Sequence, residues 1–364
     1  MEARKVGWSA VVPGLLLSAT ASAANYVVTA NANRTFTPNT VTIALGDTVT
    51  FRNGGGLHNA VSNPGSVTAF RCANGCDGAG GNGNPSSAAW SATVAFPTAA
   101  TIGYFCDVHG APGVGMAGRI LVSARRSDFN GDGFSDILWR NTSTGANVIW
   151  RSANSATPTA VTAQANQAWS VVGTGDYNGD GRADILWRNG STGANVIWRS
   201  GSSATPQAVT TRPVAWRVVG SGDYSGDRIA DILWRNTSTG ANQIWRSANS
   251  ATPTAVTTQA SQAWTVVGSG DYNGDGRADI LWRNSSTGAN QIWRSASSAT
   301  PQAVTTQALA WNIVGSGDYN DDGRADILWR NSSTGANVIW RSASSATPQA
   351  VTTQATVWIV GAEN

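Results

Sequence analysis

The chain has 364 residues, of which 12% are charged and 41% apolar, with 41 Gly, 17 Trp and a formal net charge of +3. So small a charged fraction excludes a coiled coil, a long-helix protein and a charged disordered tail. Lys5 is the only lysine and like charges never run beyond a few residues, which argues against nucleic acid as a partner. His58 and His109 are the only histidines, so enzymes that need many imidazoles are excluded and the placement of these two is informative.

At the start of the chain Arg4 and Lys5 precede a mostly apolar stretch, Val11-Val12-Pro13-Gly14-Leu15-Leu16-Leu17, and Ala21-Ser22-Ala23 supplies an A-x-A cleavage signal. Residues 1–23 therefore read as a secretory signal peptide cut after Ala23. As a membrane anchor the stretch falls well short of the roughly 20 residues a spanning helix needs, and no other segment qualifies, so no membrane span is expected. Removing Glu2, Arg4 and Lys5 leaves 22 basic and 20 acidic residues. The expected location is outside the cytoplasm, periplasmic or extracellular, where disulfides and calcium are both available.

Two regions of different texture follow, at 24–123 and 124–364, joined at the short polar Ala124-Arg125-Arg126-Ser127. Neither offers an amphipathic helix of ten residues or more, and Gly, Asn, Ser and Thr punctuate short alternating strands such as Thr48-Val49-Thr50-Phe51. An all-β protein is expected. In the first region Cys106, His109 and Met116 form C-x2-H-x6-M, and His58 lies upstream in Gly56-Leu57-His58-Asn59-Ala60. A thiolate, two imidazoles and a thioether make a soft mixed donor set that suits copper, with a trigonal His2Cys plane and a long axial Met, better than zinc. Three donors from one turn and one from a distant strand fit a Greek-key β-barrel or sandwich. If Cys106 is the metal thiolate, Cys72 and Cys76 remain; they can close a small disulfide, the alternative being two free thiols.

The phrases Phe36-Thr37-Pro38, Val41-Thr42-Ile43, Leu45-Gly46-Asp47-Thr48-Val49-Thr50-Phe51, His58-Asn59 and Tyr104-Phe105-Cys106, with His109 and Met116, resemble a plastocyanin- or azurin-type cupredoxin over about residues 25–123. The resemblance implies one type 1 copper bound by His58, Cys106, His109 and Met116, and one-electron transfer to an unknown redox partner protein. It further implies that Asn59 steadies the Cys106 loop and that electrons pass through His109 near an apolar patch around Pro112. The insert from Arg71 to Trp90 departs from the family and could alter docking. With two histidines the chain cannot build the additional copper sites of an oxidase or nitrite reductase, so a carrier and not an enzyme is expected.

In the second region the same phrase opens at Asp128, Asp176, Asp223, Asp271 and Asp318, at spacings of 48, 47, 48 and 47. A period of this size with four candidate strands per unit predicts a five-bladed β-propeller. No Trp-x-Val-Val-Gly strand precedes Asp128, whereas Trp358-Ile359-Val360-Gly361 follows the fifth unit, so a ring closed by that last strand is expected, with an open array or completion by another chain as alternatives. The phrase D-x-[NS]-x-D-x-x-x-D places oxygen donors at alternating positions of a tight loop, as calcium prefers. The candidate ligands are Asp128, Asn130, Asp132, Asp136; Asp176, Asn178, Asp180, Asp184; Asp223, Ser225, Asp227, Asp231; Asp271, Asn273, Asp275, Asp279; and Asp318, Asn320, Asp322, Asp326. An EF-hand is excluded, since Trp139 stands where its glutamate would be. Solvated Asx turns without metal are the alternative.

The array resembles the FG-GAP or VCBS repeats of integrin-like propellers and some lectins, which implies up to five structural calcium ions. The third loop departs, with Ser225 for Asn and Arg228 for Gly, and is expected to bind calcium most weakly. Fifteen of the 17 Trp lie in the array, three per repeat. They read as blade packing or as platforms for a glycan or a surface protein, leaving an adhesive or carbohydrate-binding propeller with an accessory copper domain as the second functional reading.

Overall fold

A computed structural model describes residues 25–356, apart from 45, 98–99, 124–126, 132–134, 154, 157, 205, 321 and 347. The signal-peptide stretch, Asp132, the junction at 124–126 and Trp358-Ile359-Val360-Gly361 lie outside the described residues. Among those described, regular structure is β throughout, save for 3-10 turns of three residues.

The first region folds into eleven strands: β1 (Asn25–Asn31), β2 (Thr35–Thr37), β3 (Thr40–Ala44), β4 (Thr48–Asn53), β5 (Ala60–Ser62), β6 (Arg71–Ala73), β7 (Gly75–Asp77), β8 (Gly80–Gly81), β9 (Ser91–Ala95), β10 (Ala100–Ala111) and β11 (Val114–Ser123). The period-two pattern read from the sequence decides which side each residue faces. In β4, Val49 and Phe51 point inward at 0% exposure while Thr48, Thr50 and Arg52 face outward. Two sheets result, with orders β2-β1-β4-β9 and β3-β11-β10-β5-β6-β7-β8, a Greek-key sandwich in which β1 runs parallel to β4 and β3 parallel to β11. Tyr104 of β10 sits at the centre of the core, meeting the edges of Phe36 and Phe51 at 4.9 and 5.1 Å between ring centres. Residues 71–77 and 80–81, part of the insert, extend the second sheet beyond β5.

The second region is a row of antiparallel meander sheets, the blades of a propeller. The sheet of the second repeat comprises Trp169–Gly175, Asp184–Asn189, Asn195–Trp198 and Pro206–Val209. The next three repeats copy it, ending with the sheet that runs from Trp311 to Val351. The first repeat shows three strands among the described residues, Ile137–Arg140, Asn147–Trp150 and Thr159–Val161, and lacks the inner one.

Among the described residues, an arginine from each of the first four blades staples it to the next. Arg188 donates from Nη1 to the carbonyl of Gly193 and to Asn195 Oδ1, at 2.9 and 2.8 Å, and from Nη2 to the carbonyl of Trp216, the first residue of the following blade, at 2.8 Å. Its guanidinium also lies 5.0 Å from the ring centre of Trp234 in that blade. Arg140 over Trp187, Arg235 over Trp282 and Arg283 over Trp329 repeat the arrangement. A buried cation is tolerated when its donors are satisfied, and a flat guanidinium can bond in its plane while its face rests on an indole. The covered Trp187, Trp234, Trp282 and Trp329 are 0% exposed, which assigns them to packing rather than to a ligand platform, whereas Trp139 of the first blade is 46% exposed.

Candidate metal centre

The pairing of β10 with β11 builds the first site. The ladder is regular from Ala100↔Val122 to Phe105↔Ala117, breaks, and resumes at Gly110↔Gly115. The break sets Cys106 and His109 free of the regular ladder and puts Met116 on the strand opposite, between the two paired positions. Two glycines make this end of the hairpin possible. A Cβ on Gly110 would stand 2.6 Å from the carbonyl oxygen of Met116, and one on Gly115, whose φ is +68°, 2.6 Å from that of His109.

His58 enters from the segment between β4 and β5. Its backbone forms an isolated bridge with Ser86 of the insert, N–H to carbonyl at 3.2 and 3.0 Å. The result is a compact triangle: Nδ1 of His58 lies 3.8 Å and Nδ1 of His109 3.7 Å from Cys106 Sγ, and the three ligand atoms all lie within 4.8 Å of one another. A first-row metal ion with bonds of about 2.0–2.3 Å to N and S fits between donors so spaced, and the thiolate–imidazole set suits copper. Met116, on the strand opposite the break, is buried at 2% exposure. Burial, then the neighbouring His109 imidazole, holds the His58 pKa below its ordinary value, which favours the neutral ring that binds metals. His58 and Cys106 are buried; His109 is partly open to solvent.

Asn59 ties the two halves of the site together. Its Oδ1 accepts the N–H of Asp107 at 2.9 Å, and its Nδ2 donates to Asp107 Oδ2 and to the carbonyl of Gly83, each at 2.9 Å. Sequence reasoning missed the role of Asp107 and the insert. Asp107 Oδ2 also accepts from Arg71 Nε at 3.1 Å, Cys72 pairs with Ala60 beside His58, and Cys72 and Cys76 are joined in a disulfide. The insert therefore buttresses the pocket. The usable signal was the placement of Arg71 and Cys72 in one segment and Asp107 directly after Cys106, but nothing local to either says that they meet.

The aspartate loops are ordered by the backbone. Asp176 Oδ1 accepts the N–H of Gly179 and of Asp180 at 2.6 and 3.2 Å, and Oδ2 that of Gly181 at 2.8 Å. Asp184 accepts from Tyr177 and Ser200 at 3.0 and 2.8 Å, one bond per oxygen, and so ties the loop to the 3-10 turn after the third strand. Asp136, Asp231, Asp279 and Asp326 each repeat that double bond. Burial, reinforced by the loop's other carboxylates, raises Asp184 and Asp231 to about 6 and Asp279 to about 7. Among the described residues no loop brings three carboxylates as close as the donors of the first site.

Sequence comparisons agree with this picture. The profile of copper binding proteins of the plastocyanin/azurin family matches residues 23–123. That of the FG-GAP-like repeat matches residues 128–187, 176–234, 223–282 and 271–329. A chloroplastic plastocyanin of Tetradesmus obliquus is 37% identical over 113 residues, spanning 30% of this chain and 74% of that protein. Among solved structures, a reduced amicyanin variant shares 24% identity over 27% of this chain and 82% of its own, with a TM-score of 0.21. A purple cupredoxin from Nitrosopumilus maritimus shares 21% identity over 27% of this chain and 99% of its own, also at 0.21. The fold and the three-donor pocket define a cupredoxin joined to a repeat propeller. The chain belongs to the plastocyanin/azurin copper-binding family through residues 23–123 and carries FG-GAP-like repeats over 128–329.

Asn59→Ala leaves the Asp107 N–H without its acceptor and is expected to destabilise the copper domain by about 1–3 kcal/mol. Thermal unfolding of the copper-loaded protein checks this, and an unchanged midpoint would remove Asn59 from the support of the site.

Proposed function

We propose that the protein is an exported blue-copper electron carrier whose propeller is stabilised by calcium. The observation that carries the redox reading is the approach of a buried thiol and two imidazole Nδ1 atoms to 3.7–3.8 Å, with the buried Met116 on the strand opposite. His58, Cys106, His109 and Met116 would hold copper there, which would supply a change of oxidation state by one electron. The protein keeps the donors in place: the hairpin break fixes Cys106 and His109, Ser86 fixes His58, and Asn59 joins the two segments. A donor set that barely moves as the charge changes keeps the reorganisation small.

His109 is the ligand at the surface, and Leu57, Val108 and Val114 expose 46%, 47% and 68% of their area beside the ligand positions. An apolar rim of this kind suits a redox protein that must dock briefly and release. The plastocyanin relative is 37% identical over 113 residues, and a single redox centre of this kind suits an electron carrier. No helix among the described residues is long and apolar enough to cross a membrane, and the leader-like start of the chain supports export. Cys106→Ser is expected to abolish the intense visible absorption of the copper-loaded protein and its reversible bleaching on reduction; a variant with the same spectrum and voltammetry as the parent would overturn the reading.

Calcium in the loops is supported by the repeated Asp-x-Asn-x-Asp spacing, by carboxylates that burial makes costly to ionise, and by Asn320 Oδ1, a buried acceptor with no donor among the described residues. A cation there would keep those carboxylates charged. Calcium is expected to raise the thermal midpoint of the propeller over that in chelator, and equal midpoints at saturating calcium would leave the loops as plain Asx turns.

Ring closure by Trp358-Ile359-Val360-Gly361 is supported by the first blade, which among the described residues has three strands where the others have four, and by Trp139, exposed where its four counterparts are covered. With closure, Arg330 would stand to Trp139 as Arg188 stands to Trp234. Trp139→Ala is then expected to cost as much as Trp234→Ala, about 3–5 kcal/mol, in equilibrium unfolding. A loss for Trp139→Ala well under that of Trp234→Ala would leave the ring open.

A further inference from the structure

The third aspartate loop departs from the others at one telling position. Gly181, Gly276 and Gly323 take a left-handed backbone there, at φ of +81°, +81° and +79°, and Arg228 holds the same conformation at +69°. That region disfavours any residue with a Cβ, so an arginine persists in it only where something else holds it. The loop keeps its shape through its own backbone, since Asp223 accepts the N–H groups of Gly226, Asp227 and Arg228. The Arg228 side chain leaves the loop altogether and donates from Nη1 to Thr101 Oγ1, on β10 of the copper domain.

The two following loops touch the copper domain at the same position. A Cβ on Gly276 would stand 2.6 Å from Leu121 Cδ1, and one on Gly323 2.7 Å from the carbonyl oxygen of Thr42, whereas Gly181 has no neighbour within 4 Å. Thr101 and Leu121 are partners in the β10–β11 ladder, at the end away from Cys106 and His109. Between the domains lies a cavity of about 410 Å³, roofed by Tyr26, Thr42 and Ile43 and floored by loop residues that include Asp223 and Arg277.

We propose that the loop-bearing face of the propeller is the seat of the copper domain and that Arg228 is its latch. The third loop has given up the glycine its neighbours keep in order to hold a domain in place. Seated this way, the copper domain presents its metal end away from the propeller, so a redox partner reaches His109 without displacing the repeats. The inference uses neither copper loading nor calcium binding, and its failure would leave both of those readings untouched.

Small-angle X-ray scattering of the full-length protein tests it, alongside thermal unfolding. Arg228→Gly restores the residue that the four other loops carry, so the propeller should unfold at the same temperature or higher. Its scattering should nonetheless shift to a larger radius of gyration with a broadened distance distribution. Thr101→Arg places a like charge against Arg228 from the other side and should give the same shift, and Thr101→Glu, which supplies an ion-pair partner, should keep the compact profile. Parent protein that already scatters as two independently moving bodies would overturn the seat. Arg228→Gly and Thr101→Arg profiles that superpose on that of the parent would overturn the latch.

Discussion

The β10–β11 hairpin is the constraint on which the molecule turns. Its ladder is regular for six pairs and then breaks between Phe105 and Gly110, and that break is what frees a thiol and an imidazole to face a third donor from elsewhere in the fold. A continuous ladder would alternate Cys106 and the residues after it strictly between the two faces of the sheet. The same hairpin reaches the propeller at its other end through Thr101 and Leu121. At about 3.3 Å per residue, Thr101 and Cys106 are separated by roughly 17 Å of strand. One element therefore both builds the metal pocket and holds it away from the repeats.

The propeller solves a different problem, that of joining like units without a continuous core. Each small apolar cluster is shared by two neighbouring blades, as Leu186 and Ile197 of one pack with Ile232 and Trp234 of the next, and the joint is reinforced by a guanidinium that bonds its own turn and third strand, bonds the next blade's first strand, and covers the next blade's indole. Because stacking is between neighbours, Trp187, Trp234, Trp282 and Trp329 are covered by the blade before them, and Trp139, with no preceding blade among the described residues, is open to solvent. Such units add their stabilities through their interfaces. The aspartate of each loop that bonds both the loop backbone and the 3-10 turn then ties the top of each blade to itself.

Much of this was legible in the residues. Alternation in Thr48-Val49-Thr50-Phe51 predicted the inward side of β4, and the five Asp-led phrases marked the repeats, because strand period and repeat period are local properties of a chain. The donors His58, Cys106 and His109 could be named from their chemical type and their scarcity. Other features were not visible. The three-residue turns at Arg199–Gly201 and its counterparts carry no pattern of their own and form around the Asp184 type of contact. The insert looked like a docking variation but lies against the pocket, through Ser86 on His58 and Arg71 on Asp107.

The amino-acid sequence by itself settled the class of structure, the repeat count and the chemistry of the donor set, since these depend on residue type and on spacing along the chain. Only the tertiary structure decided that His58 meets Cys106 at a sequence separation of 48, that the arginines of the repeats lie on the next blade's tryptophans, and that Arg228 reaches Thr101. Contacts between residues far apart in the chain depend on how whole sheets pack, and no local pattern encodes the direction in which a packed side chain finds its partner.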